Sequence, residues 1–329
     1  MDAAGRKAFW DTLCSLNSYD HESMQKLIKA SPCPQELCRF RAVNESSLLQ
    51  LQDNKQFFST ANYYDDPFDT HFYINFALIQ ELYDTAMDLN NGGNDGVFKD
   101  LLGQLGLKED ADTIIQNLKI TPLDMNNFSV SLKNAREMIK RQIYSICFCE
   151  NPLSETMWLK YADHHKGFAQ VYDFNDPNTR LFDSETDCVN CGVRNHPPMI
   201  FPIYYSDTAC DATMYALTIL FRDVFKDISL QSSQLAFNLY YYATLWQPEK
   251  VSLIKRKCHQ YDQEWRMLLP TPYSNRPYIR LKPKNILIGL RTSEYQRQQI
   301  LSAARIAGIE EVHQVVINDN NQLEKRQLA

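Results

Sequence analysis

The chain has 329 residues, of which 44% are hydrophobic and 22% are charged, as is usual for a globular protein. The formal net charge of −6 argues against nucleic acid or an acidic membrane as a partner held by bulk electrostatics, although a local basic groove stays open. The longest apolar run, residues 214–221, is too short to span a bilayer, and the N-terminus has no signal-peptide core. The nine cysteines, odd in number, favour reduced thiols, so we expect a cytoplasmic protein or an effector exported by a route that the sequence does not show.

The spacing of apolar residues along the chain predicts a mixture of helices and strands. Strands are expected at 37–43, 55–60, 143–149, 167–174, 200–205, 261–269, 285–290 and 311–317. Helices are expected as two short segments within 6–30, as three or four segments within 72–142, and at 48–52, 157–165, 208–227, 232–256 and 294–307. Because the strands do not alternate regularly with helices, the pattern indicates an α+β fold and disfavours a doubly wound parallel sheet.

The same pattern predicts the domain organisation. Residues 1–36 are expected to form an N-terminal helical cap. Residues 37–317 are expected to form a single α+β domain, which carries a helical insertion at about 72–142 that is broken at the glycine-rich segment 90–96. Residues 318–329 are expected to be a polar and loosely ordered C-terminal tail.

The predicted strand at 261–269 carries an unusual set of charges. Because side chains alternate across a strand, Asp262, Glu264 and Arg266 are expected to share one face, with Trp265 on the other. Burying such charges is costly unless they are paired. The pattern therefore has two interpretations, an internal Glu264–Arg266 ion pair on a sheet face or an acid-x-Glu catalytic strand that faces a cleft.

Two further segments carry charges that suit a ligand. Arg39 and Arg41 alternate onto one face of the first predicted strand, where guanidinium groups could bind phosphate with two hydrogen bonds each. The plainer interpretation is an edge strand with solvated charges. The acidic loop at 65–69 could bind a cation or position a substrate, and its plainer interpretation is a turn with exposed acids.

The sequence gives little support to a phosphate-binding loop, a nucleophile elbow or a metal site. The sequence contains no glycine-rich phosphate loop and no Gly-x-Ser-x-Gly elbow. Cys188 and Cys191 have the spacing of one half of a zinc site, with His196 and Cys210 as conceivable further ligands, but a second close pair is missing. We therefore predict no metal cofactor.

Several segments, taken together, resemble one protein family. They are Arg39-Phe40-Arg41, Tyr64-Asp65-Asp66-Pro67-Phe68-Asp69, Met157-Trp158-Leu159-Lys160-Tyr161-Ala162 and Tyr261-Asp262-Gln263-Glu264-Trp265-Arg266. Through them the chain resembles, from about residue 37 to about residue 317, the bacterial and archaeal family known as domain of unknown function 2971. It departs from the pattern of that family at Asp65, where Asn is usual, and at Asp262, where Glu is usual.

That family name carries no activity, and a second resemblance suggests one. A strand with a basic residue, a short helix and a strand that ends in Ser59-Thr60 resemble the opening of ADP-ribosyltransferase folds, which implies a mixed or antiparallel sheet core. In those enzymes a first-strand His or Arg holds NAD, aromatic residues sandwich the nicotinamide, and a Glu of a Glu-x-Glu strand holds the ribose hydroxyl. The resemblance implies Glu264 as the catalytic carboxylate, Asp262 as the first acid, and NAD binding by Arg39, Arg41, Ser59, Thr60, Tyr63, Asp66, Trp158 and Tyr161.

The resemblance thus implies an enzyme that uses NAD as co-substrate and needs no metal. ADP-ribose would pass to a protein, to a nucleic acid or, in a glycohydrolase, to water; a role as toxin, effector or phage-defence component comes from the resemblance alone. Two alternatives stay open. One is a non-catalytic sensor or binding module with a structural Glu264–Arg266 pair, and the other is a metal-dependent nuclease or hydrolase that uses Asp65, Asp66, Asp69 and Glu264.

Overall fold

The computed structural model describes residues 1–104, 111–117, 122–174, 199–224, 245–269 and 277–328. Within these ranges the chain combines helices with a mixed β-sheet, which confirms the α+β class. No helix in the described ranges is both long and apolar enough to cross a membrane. The Cys188–Cys191 pair and the first half of the helix expected at 232–256 lie outside the described residues.

The strands and helices follow one another along the chain without a repeating unit. The strands are β1 (Glu36–Arg41), β2 (Lys55–Phe57), β3 (Ser59–Thr60), β4 (Phe72–Tyr73), β5 (Tyr144–Cys149), β6 (Phe168–Asp173), β7 (Met199–Pro202), β8 (Tyr204–Tyr205), β9 (Cys210–Asp211), β10 (Ile254–Lys255), β11 (Glu264–Leu269), β12 (Tyr278–Arg280), β13 (Asn285–Ile288), β14 (Glu311–Ile317) and β15 (Leu323–Gln327). The helices are α1 (Ala3–Ser15), α2 (His21–Ala30), α3 (Glu45–Gln52), α4 (Phe76–Asn90), α5 (Asp95–Gln104), α6 (Ala111–Asn117), α7 (Pro122–Gln142), α8 (Glu155–Tyr161), α9 (Thr213–Val224), α10 (Gln247–Ser252) and α11 (Glu294–Ile306), with 3-10 turns at Ala61–Tyr63 and Lys257–Asp262.

One large sheet organises the described chain. Its strands lie in the order β15-β14-β13-β6-β1-β5-β11-β7, and β3 also pairs with β5. Neighbours are antiparallel except β13 and β14, which are parallel. Three short pairs, β2 with β12, β4 with β9 and β8 with β10, lie outside this sheet.

The strand register defines two faces of the sheet, because residues paired across strands point to the same side. Glu264 is paired with Cys149, and Cys149 with Cys38, so these three side chains lie on what we call the Glu264 face. Arg39 adjoins Cys38 in β1 and is paired with Gln170, so both lie on the opposite side, the Arg39 face. Helix α8 packs on the Glu264 face, whereas β2, β12, α3 and α11 cover the Arg39 face.

Helices at both ends of the sheet complete the fold. Helices α1 and α2 bury Phe9, Leu13 and Leu27 against Phe201 of β7 and against Trp246. Helices α4 to α7 form a separate apolar cluster with α9, which matches the helical segment expected within 72–142. The N-terminal helices therefore share a hydrophobic core with one edge of the main sheet.

Several predicted strands are wrong in their extent because tertiary pairing interrupts them. The strand expected at 55–60 divides at Phe58, since β2 pairs with β12 while β3 pairs with β5. The strand expected at 261–269 begins only at Glu264, because residues Lys257–Asp262 form a 3-10 turn and Gln263 adopts a left-handed φ of 44°. The strand expected at 200–205 likewise divides into β7 and β8.

Other boundaries also differ from the prediction. The helix expected to run to residue 256 gives way to β10, which pairs with β8 in parallel. Strands β4 and β9 precede α4 and α9, so these helices begin later than expected. The tail at 318–329 is not loosely ordered throughout, because β15 continues the main sheet beside β14 through five paired positions, from His313–Gln327 to Ile317–Leu323.

Candidate active site

The main sheet opens between β1 and β5. These two strands are paired at one register position, Cys38 with Cys149. At the other end of β5, Ser145 is paired with Ser59 of β3 instead. A cleft with a volume of about 220 Å³ occupies the opening and is bordered by the backbone and side chains of both strands. The cleft thus lies where sheet pairing stops.

Most of the side chains implicated by sequence line this cleft. They are Arg39, Arg41, Ser59, Tyr63, Asp66, Tyr161, Asp262 and Glu264. Thr60 does not line it, and its hydroxyl donates to Asn62 Oδ1 at 2.6 Å. Trp158 does not line it either, because its indole is fully buried, donates to the carbonyl of Pro152 at 2.9 Å and packs edge-on against Phe40. The expectation that Trp158 stacks on a ligand is therefore wrong for the described structure, where it is a core residue.

A buried cluster of charges forms the floor of the cleft. Lys255 Nζ lies 2.7 Å from Glu264 Oε2, 3.1 Å from Asp262 Oδ2 and 3.3 Å from Asp69 Oδ2. Arg266 Nε donates to Glu264 Oε1 at 2.6 Å, and its Nη2 donates to both oxygens of Asp69 at 2.8 Å. We call these five side chains the charged cluster, and none of them is more than 6% exposed.

Local backbone structure explains how each member reaches the cluster. Glu264 and Arg266 share a face of β11 by strand alternation. Asp262 closes the preceding 3-10 turn, and the left-handed turn at Gln263 carries the chain from that turn into the strand. Lys255 lies in β10, which β8 holds beside the sheet. The Glu264–Arg266 ion pair, which is one of the two interpretations of the sequence, therefore exists, but within a larger network.

The charges in this cluster are unequal and perturb one another. Three carboxylates meet two cations, so the cluster carries an excess negative charge when all of its groups are ionised. Burial favours the neutral carboxyl of Glu264, but the Arg266 guanidinium and the Lys255 ammonium outweigh it and hold its pKa well below the usual value. Glu264 is therefore ionised at neutral pH.

Asp262 differs from Glu264 in its surroundings. Burial raises the pKa of Asp262, and Lys255 only partly offsets that effect. Its Oδ1 atom is buried and has no hydrogen-bond partner among the described residues. The pKa values of Asp262 and Glu264 are thus shifted in opposite directions. In such a pair one carboxyl stays charged while the other can exchange a proton.

Aromatic side chains stand at the mouth of the cleft. Tyr63 is 79% exposed and Tyr161 is 41% exposed, so their rings are available to stack on a planar group. The ring of Tyr64 lies 5.0 Å below the Arg266 guanidinium, and its hydroxyl is hydrogen-bonded to Ser145. His259 Nε2 lies 3.2 Å from Asp66 Oδ2, and this contact connects the acidic loop to the 3-10 turn before β11.

The two predicted arginines approach the cleft from the other side of the sheet. The register places Arg39 and Arg41 on the Arg39 face, opposite Glu264. Arg39 Nη1 donates to Gln56 Oε1 at 2.6 Å, and Arg41 Nη2 donates to Gln50 Oε1 at 2.8 Å. Both arginines still line the cleft, because the sheet is open at this point.

Helix α1 contributes an arginine, Arg6, that contacts both β11 and the residue that follows β5. Arg6 Nη1 donates to the carbonyl of Glu264 at 2.8 Å, and its Nη2 lies 2.7 Å from Glu150 Oε1. The indole nitrogen of Trp265 donates to the same oxygen of Glu150 at 2.5 Å. A single arginine from helix α1 therefore connects the start of β11 with the end of β5.

Sequence reasoning missed Lys255 and treated Asp69 only as part of an acidic loop that could bind a cation or position a substrate. Lys255 was assigned to a helix, and no local pattern marks it as the partner of three acids. Among the described residues, no group of three or more His, Cys, Asp or Glu side chains is arranged to hold a metal ion. Asp69 and Glu264 instead bind Arg266 and Lys255. Cys147 also lines the cleft, and burial raises its pKa to about 12, so its thiol is neutral.

Comparison of the chain with protein-family models, with curated proteins and with solved structures finds no match.

Proposed function

We propose that this protein cleaves the nicotinamide–ribose bond of NAD and passes ADP-ribose to a macromolecular acceptor or to water. The observation that carries the proposal is the excess of buried carboxylate at the floor of a cleft that has exposed aromatic rings at its mouth and arginines on its far side. The sequence resemblance to ADP-ribosyltransferases supports the same assignment.

The negative floor suits the charge that develops in this reaction. The nicotinamide ring of NAD is cationic, and the ribose becomes oxocarbenium-like as the bond to nitrogen breaks and the electron pair moves to the ring. Glu264 keeps its negative charge at neutral pH and would stabilise that positive charge through space. The acceptor oxygen would then bond to the ribose carbon and release its proton to Asp262, whose raised pKa suits proton transfer.

The remaining cleft residues suit the rest of the dinucleotide. Tyr63 or Tyr161 would stack on the nicotinamide ring, while Arg39 and Arg41 would bind the phosphates. The volume of about 220 Å³ lies below the roughly 300–1,000 Å³ of pockets that enclose a drug-sized ligand. The cleft would therefore take the nicotinamide and its ribose, with the adenosine half lying outside.

A non-catalytic binding module is the second candidate, and one observation favours it. Both carboxylate oxygens of Glu264 already accept hydrogen bonds from protein cations, Oε1 from Arg266 at 2.6 Å and Oε2 from Lys255 at 2.7 Å. A carboxylate held in this way contributes to a buried charge network even when no substrate is present. In such a module the cleft would bind a ligand without turnover.

Nicotinamide release from NAD, measured by chromatography beside a protein-free blank, tests the proposal. The informative variant is Tyr63→Ala, because this side chain is 79% exposed and its loss leaves the core intact. Tyr295→Ala is the matched control, since Tyr295 is 75% exposed and does not line the cleft. Loss of a stacking ring worth ~1–3 kcal/mol should lower turnover about fivefold or more in Tyr63→Ala. Tyr295→Ala should match the wild type, and both variants should melt as the wild type does.

The outcomes separate the two candidates. Nicotinamide release that falls in Tyr63→Ala but not in Tyr295→Ala supports the enzyme. NAD binding that weakens in Tyr63→Ala, with no release above the blank in any protein, rejects the enzyme and supports the binding module. Neither release nor NAD binding by the wild type rejects NAD as the ligand of this cleft.

A further inference from the structure

Two cysteines lie at the point where the two sides of the open sheet still meet. Cys38 of β1 and Cys149 of β5 are paired at the one register position that joins these strands in the described structure. The Cys38 thiol donates to the Cys149 carbonyl oxygen at 3.2 Å, and it also contacts the Cys149 thiol. Both cysteines are free. Two reduced sulfur atoms are therefore neighbours across this pair of strands.

The geometry of this pair permits a disulfide bond. Directly paired residues of antiparallel strands have Cα atoms ~4.5–5.5 Å apart, and a disulfide requires ~4.4–6.8 Å. Paired side chains also point to the same side of a sheet, and Cys38 and Cys149 pack in one apolar cluster. A bond between the two sulfur atoms therefore requires rotation of the side chains but no movement of the strands. Cys147 differs, because it is paired with Arg266 of β11 and the register gives it no partner in β1.

The cleft gives a small reagent access to the pair. Cys38 and Cys149 are each only 1% exposed, but both line the cleft. Burial raises the pKa of the Cys38 thiol well above its usual value, and contact with the Cys149 thiol acts in the same direction. Because the thiolate is the nucleophile in disulfide exchange, reaction at this pair is slow at neutral pH and becomes faster as the pH rises.

We propose that Cys38 and Cys149 form a reversible disulfide by exchange with a low-molecular-weight disulfide such as oxidised glutathione. The thiolate of one cysteine attacks a sulfur atom of the reagent to give a mixed disulfide, and one glutathione thiolate leaves. The thiolate of the other cysteine then attacks the protein sulfur atom of that mixed disulfide, and the second glutathione thiolate leaves. The cysteine pair loses two electrons, the reagent gains two, and the two cysteine protons end on the two glutathione thiols.

This cross-link would act on the cleft and on stability together. It joins residues that are 111 positions apart in the chain, and it fixes β1 to β5 at the end of the opening. Closing so long a loop lowers the conformational entropy of the unfolded chain and thereby stabilises the folded state. The inference does not depend on the proposed function, because it concerns the two strands that border the cleft and not the ligand between them.

Peptide mapping of the full chain tests the proposal. The protein is incubated with oxidised glutathione at mildly alkaline pH, its remaining thiols are blocked in acid, and it is digested with chymotrypsin. This protease cuts after Leu37 and Phe148, which separates Cys38 from Cys33 and Cys149 from Cys147. We expect a Cys38–Cys149 linked peptide that disappears on reduction. The melting temperature of the oxidised protein should exceed that of the reduced protein by ~5–10 °C.

Two variants connect the linked peptide with the change in melting temperature. Cys149→Ala removes the pair, and Cys147→Ala is the matched control, because Cys147 lies in the same strand, on the same face, and also lines the cleft. Oxidation should raise the melting temperature of Cys147→Ala as it does that of the wild type, and should raise that of Cys149→Ala less.

Each outcome supports or overturns the proposal. The linked peptide in the wild type, with a rise in melting temperature that depends on Cys149 and not on Cys147, supports it. Absence of that peptide from the oxidised wild type, or linkage of Cys38 to Cys147 instead, overturns it whether or not the variants fold. An equal rise in Cys149→Ala assigns the stabilisation to another pair of cysteines and overturns the role of this cross-link.

Discussion

Substituting Glu264 with glutamine removes one charge from the charged cluster and keeps the shape of the side chain. The carboxylate accepts from Arg266 Nε at 2.6 Å and from Lys255 Nζ at 2.7 Å. An amide has one accepting oxygen and one donating NH₂ group, so the variant can satisfy only one of these cations. The other cation then faces a donor in a buried site.

The size of the effect follows from the remaining partners. Breaking a buried ion pair by removing one partner costs ~3–5 kcal/mol. Asp69 still binds Arg266 through both oxygens, and Asp262 still lies 3.1 Å from Lys255, so the lower end applies. We expect Glu264→Gln to lower the free energy of unfolding by ~3 kcal/mol, which lowers the melting temperature by about 6 °C in a large domain.

The assay is urea and thermal unfolding at pH 7, with Asp262→Asn beside Glu264→Gln. Burial raises the pKa of Asp262 above its unfolded value of ~3.9. The protonated carboxyl therefore stabilises the folded state at pH values below ~3.9, and this stabilisation is lost as the pH rises through the folded pKa. At pH 7 its charge does not favour folding, and Asp262→Asn should cost less than ~1 kcal/mol. Glu264 has the opposite sign, because its pKa is lowered in the folded state. The contribution of ionised Glu264 to the free energy of unfolding is complete above pH ~4.3 and is lost as the pH falls below that value.

Two results would refute the reasoning. If Glu264→Gln unfolds at the wild-type urea concentration at pH 7, the carboxylate is not the ionised partner of Arg266 and Lys255. The same conclusion follows if the difference between wild type and Glu264→Gln does not shrink when the pH is lowered from 5 to 3. In either case the assignment of Glu264 as a charged group in the cleft fails.

Three further substitutions, two of them paired with a control substitution, test the packing and capping described above by thermal or urea unfolding. Gly167→Ala would place a Cβ 2.0 Å from a carbonyl oxygen of β1 and should lower the free energy of unfolding by ~2 kcal/mol or more. In the control Gly103→Ala the new Cβ meets no atom within 4 Å, so this substitution should stabilise its helix by up to ~1 kcal/mol. Equal effects of the two substitutions would contradict this expectation. Arg6→Met should lower the free energy of unfolding by ~3 kcal/mol, because it removes the cation that contacts the half-buried Glu150 carboxylate and the carbonyl at the start of β11. The control Lys7→Met loses only an exposed i,i+4 ion pair and should change the free energy of unfolding by less than ~0.5 kcal/mol. Ser293→Ala removes the N-cap of α11 and should cost ~1 kcal/mol in the urea assay, and no loss would mean that the capping box does not form.

Local patterns in the sequence predicted much of the fold. The observed β14 has the predicted bounds of 311–317, because its alternation lies beside a well-capped helix and a clear turn. Helix α3 ends at Gln52 as predicted but begins at Glu45, three residues earlier than predicted, after the N-cap Asn44, which forms a capping box with Ser47. Strand alternation also placed Glu264 and Arg266 on one face. These features depend on residues within a few positions of one another.

The rest of the site depends on contacts between distant segments. Lys255 joins the charged cluster because β10 pairs with β8, and no neighbouring residue signals that pairing. Strand periodicity predicted that Arg39 and Arg41 share a face, but their position opposite Glu264 follows from the register of β1, β5 and β11. Gln263 adopts a left-handed conformation, and the sequence does not predict it because this position is not a glycine. Such relations are not encoded in any one stretch of sequence.

The single pairing of β1 with β5 also bears on how the protein unfolds. It divides the sheet into two hydrogen-bonded halves, one with β1, β6, β13, β14 and β15 and one with β3, β5, β7 and β11. Few backbone hydrogen bonds join the halves, so they are held together chiefly by side-chain packing, such as that of Tyr172 on Phe148. A ligand bound in the cleft as proposed would contact both halves and would add to the free energy that holds them together.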